Sequence, residues 1–339
     1  MATKDNTLLK IGNKPQSFKR QNHLDYIKAI AITLVIIYHC QTFEGNLIVS
    51  SLLSMCVTLF FCVNGYLMLI KHHDSSYFLK KNIKLLFLIL FWGSIACIIG
   101  TWNRDNSVFV PKTMLLHLYN IDVGYGNQMW FLFTLIILNF LNPIIYLFIN
   151  NSQRKERIIF FTFIGLCSIN FIQLITWKFN PLRGWHGYAL FYYIMGYYCL
   201  ACNKDKIVST KNIGALFIFF ITLQSSLNYA MSHSDKLMQW LRGGDFVFSQ
   251  YSSLFVICST LLLVIFFKRI QLPESKIITF IGSNTLGLYL IQDAVIKYLK
   301  YGLHINQYPI IYIIMVFSLC CIIINIFNRF KATRFLIST

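Results

Sequence analysis

His39 closes the stretch LDYIKAIAITLVIIYHC, residues 24 to 40, and the same stretch opens with Asp25 and Lys28. Between them lie residues suited to a lipid-facing helix. Charged groups inside such a helix cost several kcal/mol unless they face a partner or a water-filled cavity, so all three are candidates for function. Imidazole has an unperturbed pKa of about 6.5, which suits general-base chemistry on a hydroxyl at neutral pH, or transient carriage of a transferred group. Lys28 precedes His39 by eleven residues, about three helical turns and roughly 16 Å of rise, so the two share one face at opposite depths. Lys28 by itself also fits a lysine snorkelling to the interface, and His39 by itself also fits a structural histidine.

A second cationic group lies in SSYFLKKNIKLLFLILFW, where Lys80, Lys81 and Lys84 meet the start of another apolar run. Two readings stand side by side. These lysines contact anionic lipid headgroups, or they clamp a phosphate, with Lys80 and Lys84 sharing a face that could meet Lys28. A cationic site about one phosphopantetheine length from a histidine suits an acyl-coenzyme A donor.

The elements that must position these groups are membrane helices. Of 339 residues, 56% are hydrophobic, 17% aromatic and only 12% charged, against about a quarter charged in soluble domains. The +18 net charge punctuates apolar runs and forms no basic face, which argues against a nucleic-acid binder. With about 20 apolar residues needed per crossing, ten spans are expected: 24–40, 47–70, 83–102, 128–150, 157–177, 187–202, 211–228, 245–267, 277–300 and 308–328. With the N-terminus inside, 22 of the 30 basic residues fall in cytoplasmic connections, as membrane topology favours. The expected architecture is an all-α polytopic transmembrane bundle of about ten helices with both termini cytoplasmic. Residues 1–23 form a cytoplasmic N-terminal segment without signal-peptide character, 24–330 one membrane domain, and 331–339 a cytoplasmic tail.

Most of the ten cysteines sit in apolar segments and imply no disulfide framework. Cys199 and Cys202 form a single C-x-x-C without a second pair or a histidine cluster, and read as helix packing. The adjacent His72 and His73 read as solvated loop. No metal site is expected, and neither a phosphate-binding glycine loop nor a G-x-S-x-G elbow is present.

The order of several short motifs resembles the acyltransferase-3 family of integral membrane O-acyltransferases, which contains the O-antigen and enterobacterial common antigen O-acetyltransferases. The family's L-D-x-x-R followed by an apolar run to Y-H is similar to LDYIKAIAITLVIIYH, with Lys28 in place of Arg. Its F-F-x-x-S-G-F/Y resembles FFCVNGY with Asn64 for Ser, R-R-x-x-R resembles KKNIK, W-F-L resembles MWFLFTLIILNFLNPII, and Y-L-I-H resembles GLYLIQD with Gln292 for His. The resemblance spans residues 20 to about 330. The chain uses 21 Lys and 9 Arg, and lysine supplies a point charge for phosphate without the bidentate arginine fork.

The resemblance implies transfer of an acyl group, most often acetyl, from acetyl-CoA to a hydroxyl of a surface polysaccharide or lipid-linked glycan, in the bacterial cytoplasmic (inner) membrane. His39 is then the catalytic base or acyl carrier, and Lys28, Lys80, Lys81 and Lys84 hold the donor. Asp293 is expected to orient or charge-stabilise His39, and Gln292, Asn64 and Trp130 to contact the acceptor, while Asp293 and Gln292 equally suit an interhelical polar pair that holds the bundle. Asp25 is expected to pair with a cation near Lys28 as structural support. The outer loops with WNRDNSVF and FNPLRGWHGY mix aromatic and hydrogen-bonding groups suited to carbohydrate, though Trp130 equally suits an interfacial anchor. A transporter or exporter of polysaccharide or lipid-linked sugar would place intramembrane charges along a pathway and predicts inverted repeats, which are not seen. A non-catalytic structural or sensory protein would not need His39. The membrane-bound O-acyltransferases of the other large class carry their histidine late in the chain, not in the first helix.

Overall fold

The computed structural model describes residues 20–43, 45–102, 129–168, 185–201, 208–234 and 249–338. These residues are helical without a strand, so the protein is an all-α bundle. The helices are α1 Asn22–Cys40, α2 Leu47–Leu53, α3 Cys56–Leu69, α4 Ser75–Trp102, α5 Trp130–Asn151, α6 Arg154–Ser168, α7 Trp185–Ala201, α8 Thr210–Ser232, α9 Leu254–Arg269, α10 Lys276–Ser283, α11 Thr285–Lys297, α12 Pro309–Arg329 and α13 Lys331–Arg334. Among the described residues, five spans are long and apolar enough to cross a membrane: α1, the stretch Leu47–Leu69, α5, α8 and α12.

Two expected spans are each broken in two. The 47–70 stretch breaks at Ser54–Met55, between α2 and α3. Ser51, Ser54 and Thr58 turn their hydroxyls back onto the carbonyls of Leu47, Ser51 and Met55, a local alternative to the helical ladder that loosens it. The 277–300 stretch breaks at Asn284, which ends α10 and begins α11. Its amide donates to Phe280 O at 2.8 Å, satisfying a carbonyl of the α10 end. Past Lys297 the chain widens into a π-helical turn, Tyr298–Gly302.

The centre of the bundle is α3, whose residues are nearly all buried. It meets α7 at backbone distance because Gly65 lies against Tyr193 and Gly196 against Cys62, where any Cβ would overlap main-chain atoms. Small residues at such crossings are how apolar helices approach without a hydrophobic force between them. An asparagine network fixes the neighbours: Asn139 donates to Asn82 at 2.7 Å, and Tyr193 donates to Asn142 Oδ1 at 2.6 Å, joining α4, α5 and α7. Asn139 sits four residues before Pro143, where the proline ring removes a helical N–H.

The starts of α1 and α11 and the end of α12 share one end of the bundle. Gly282 packs its backbone on Asp25, and Asn328 donates to Asn284 Oδ1 at 2.8 Å. The segment after α12 folds back: Trp92 Nε1 donates to Leu336 O at 2.8 Å, Ile337 is buried against Gly287, and the Phe335 ring lies tilted against Phe87 at 5.5 Å. Residues 331–338 therefore lie along α4 and α11.

Candidate active site

His39 sits in the last turn of α1, one residue before the end, and the chain leaves the helix through Gln41 in a left-handed conformation. Its ring lies edge-on to Tyr38 at 5.2 Å. α1 and α11 pack together, and this brings Asp293 of α11 close enough to act on His39 electrostatically. Asp293 is only 7% exposed. Lys297, one turn further along α11, places Nζ 2.9 Å from Asp293 Oδ2. Gln292, adjacent to Asp293, is fully buried. His39, Asp293 and Gln292 are candidates from the sequence alone, whereas Lys297 falls near the end of an expected span, where lysines are ordinary. The signal was the i, i+4 spacing of Asp293 and Lys297 on one helix.

Next to this group the starts of α3, α5, α7 and α9 converge in an aromatic cluster. Trp130 lies 6.0 Å from Tyr251 and 6.4 Å from Tyr188, Tyr188 lies 5.3 Å from Tyr251, and Phe131 lies 5.2 Å from Tyr289. The hydroxyl of Tyr251 bonds the Cys56 thiol, and Tyr192 donates to Tyr251 O at 2.8 Å. Trp130 is thus part of a packed group of rings that borders the His39 end of α1. The stretches WNRDNSVF and FNPLRGWHGY fall largely outside the described residues, as does Cys202.

The other end of the bundle holds the cations. Arg20 Nε donates to Asp25 Oδ2 at 2.5 Å, and its Nη2 reaches Thr279 O at 3.0 Å, tying the α1 start to α10. Asp25 is 6% exposed, and Lys28, half-buried, feels both Asp25 and Arg20. Nothing in the sequence singles out Arg20 from the other basic residues that precede α1. Lys81 is half-buried, with Nζ 3.2 Å from Met68 Sδ at the end of α3. Lys84 is half-buried too, with Nζ 4.5 Å over the Phe335 ring. Lys80 is exposed, so the inward pair is Lys81 and Lys84, and Lys80 does not join them. Asn64 lies two turns along α3 from Cys56 and donates to Phe60 O of its own helix at 3.0 Å. Outside the spans, His73 stacks on Tyr77 at 4.3 Å, and burial together with Lys71 and Lys81 holds its imidazole below the usual histidine range.

Among the described residues no group of three or more His, Cys, Asp or Glu could hold a metal ion. The arrangement offers a base with a carboxylate partner at one end of α1, and a set of half-buried cations at the other. The family model for the acyltransferase domain matches residues 21–327. The protein belongs to the acyltransferase-3 family. That match covers every helix that carries the groups above apart from the last residues of α12, and it makes this chain a multi-pass membrane acyltransferase. No curated protein and no solved structure matches the chain.

Proposed function

We propose that this acyltransferase moves an acyl group, acetyl in the simplest case, from acyl-CoA to a hydroxyl of a surface polysaccharide or lipid-linked glycan. The observation that carries the proposal is the meeting of His39 and Asp293 from α1 and α11 at one end of a bundle whose other end gathers Lys28, Lys81 and Lys84. The rise from Lys28 to His39 along α1 is roughly 16 Å, a span that a pantetheine arm bridges. Donor phosphates held by the lysines would place the thioester near the imidazole. We place the lysine end at the cytoplasmic face of a bacterial inner membrane, the side on which the basic connections concentrate.

In the transfer, His39 takes the proton of the acceptor hydroxyl while the hydroxyl oxygen attacks the thioester carbonyl carbon. The tetrahedral intermediate collapses with cleavage of the carbon–sulfur bond, and the imidazolium returns its proton to the departing coenzyme thiolate. Asp293 stabilises the imidazolium that forms in between, since an anion near a developing cation lowers the barrier. Gln292 and Trp130 line the acceptor side. Asp25, held by Arg20, keeps the start of α1 in place beside the donor lysines. Asn64 lies between the two ends, where it would face the acyl or pantetheine portion.

The test is mass spectrometry of surface and lipid-linked glycans from cells expressing the wild type or His39→Ala at equal membrane levels. An acyl mass increment with the wild type and none with the variant is expected, and it identifies the acceptor. An increment that survives in the variant overturns the role of His39.

A further inference from the structure

Asp293 is a carboxylate in a helix that is otherwise apolar from Gly287 to Ile296 apart from Gln292, with only 10% of its side chain exposed. An isolated buried carboxylate carries a large desolvation penalty and turns toward whatever cation is available. Here that cation is on its own helix. Lys297 Nζ stands 2.9 Å from Oδ2 across one turn, with the acid N-terminal to the base, the favourable order of the pair. The geometry at the end of α11 fixes where Lys297 can reach. Tyr312 of α12 donates to Ile296 O at 3.1 Å, and the π-helical turn begins at Tyr298, the next residue after Lys297. From that turn Lys300 Nζ reaches Gln41 Oε1 at 3.5 Å, and Gln41 is the residue that ends α1 just beyond His39. The ends of α1 and α11 are therefore joined where Gln41 meets Lys300, with Asp293 near enough to His39 for its charge to act on the imidazole, and Lys297 lies between these two levels along α11.

We infer that Lys297 is a positioning residue of the transfer step: its ammonium holds one oxygen of Asp293 and so fixes the carboxylate on the face that meets His39. The inference rests on the proposed reading of His39 as the base. Lys297 acts through Asp293 and touches neither donor nor acceptor. Its loss lets the carboxylate rotate away, and the imidazolium that forms during transfer loses its stabilising partner.

The experiment compares wild type, Lys297→Met, Lys297→Arg, Asp293→Asn, the Asp293→Asn/Lys297→Met double variant and His39→Ala. Each is the full chain in lipid nanodiscs, with acetyl-CoA as donor and a glycan extract of the expressing cells as acceptor, and release of coenzyme thiol is read. Lys297→Met is expected to lower kcat tenfold or more with KM for acetyl-CoA changed less than twofold. Lys297→Arg, which keeps the charge, is expected within threefold of wild type. The double variant is expected to be no slower than Asp293→Asn alone, because the lysine has nothing left to position. Wild-type kcat in Lys297→Met, or a double variant slower than Asp293→Asn by the full Lys297→Met factor, overturns the inference. Should Lys297→Met fail to insert, the double variant, which removes both charges together, decides the same question: kcat equal to that of Asp293→Asn is expected, and kcat tenfold or more below it overturns the inference. A fully active Lys297→Met beside an inactive His39→Ala removes Lys297 alone. Wild-type thiol release from His39→Ala removes the base and this inference with it.

Discussion

The two polar ends of α1 are held in different ways. At the His39 end the partners are buried and directional: a carboxylate whose charge acts on the imidazole, an ammonium 2.9 Å from that carboxylate, and a neighbouring cluster of rings packed 5.3 to 6.0 Å from one another. At the Lys28 end, Lys81 rests on a thioether and Lys84 over a phenyl ring. A cation over a ring is worth about 0.5–1 kcal/mol at an exposed site and about 2 kcal/mol when desolvated, and a thioether sulfur is only a weak acceptor. A charge-assisted hydrogen bond to phosphate is stronger. On the proposed reading the contrast separates two tasks, since a reacting base needs one fixed geometry whereas a cation that binds and releases a coenzyme needs partners it can give up.

The largest expected effect tests the rigid end. His39→Ala is expected to lower acyl transfer by about 10²–10⁴-fold, the usual contribution of a positioned general base, while the protein stays folded, because His39 lies in the last turn of α1 and is not fully buried. Thiol release from acetyl-CoA by equal amounts of membrane-inserted protein measures it. Asp293→Asn is expected to follow at about 10²-fold or less, with the loss in kcat, since in the proposed mechanism the carboxylate stabilises charge that appears only during transfer. A change confined to KM in that variant would move Asp293 from the reaction to donor binding and erase the contrast between the ends.

A different kind of break tests the frame that keeps the ends apart. Gly65→Ala puts a Cβ into the Tyr193 carbonyl, and α3 must then separate from α7. Overpacking of this sort costs about 1–3 kcal/mol and more when backbone is the obstacle. Thermal unfolding in detergent is expected to shift down, with the activity remaining per folded molecule reduced less than the yield.

Much of this arrangement was legible in the sequence because membrane helices announce themselves by length and apolar content. The starts and ends of α1, α5, α8 and α12 lie within about four residues of the expected spans. The breaks were not legible. Ser51, Ser54 and Thr58 read as tolerable small polar residues in a span, and only their back-bonding onto carbonyls reveals the split of 47–70. The Asn284 break is of the same kind. In the site, His39 and Asp293 stood out because ionisable residues in apolar runs are costly, and Lys297 escaped because it lies where a span ends and lysines are ordinary. The inner pair was assigned by a spacing rule that Lys80 and Lys81 satisfy differently: Lys80 with Lys84 is an i, i+4 pair and Lys81 with Lys84 an i, i+3 pair. Nothing in the local sequence says which of the two faces the bundle, because α4 begins at Ser75, ahead of the apolar run, and the choice depends on packing against Met68 of α3 and Phe335.

That ambiguity gives the smallest effects and the sharpest test of the soft end. Lys81→Met and Lys84→Met each remove a half-buried cation and leave a side chain of similar length beside Met68 or Phe335. KM for acetyl-CoA is expected to rise about tenfold in each, the scale of one charge-assisted phosphate contact, with kcat unchanged and with the effect shrinking as salt is raised. Lys80→Met is expected to change neither constant by more than twofold, because its side chain is exposed while those of Lys81 and Lys84 are half-buried against Met68 and Phe335. A KM rise in Lys80→Met as large as in Lys81→Met would mean that the donor phosphates are read by the whole cationic rim and that orientation toward the bundle selects nothing. A rise confined to Lys81 and Lys84 would show that two weakly held lysines form the coenzyme's landing point, one helix away from the face of α1 that carries Lys28.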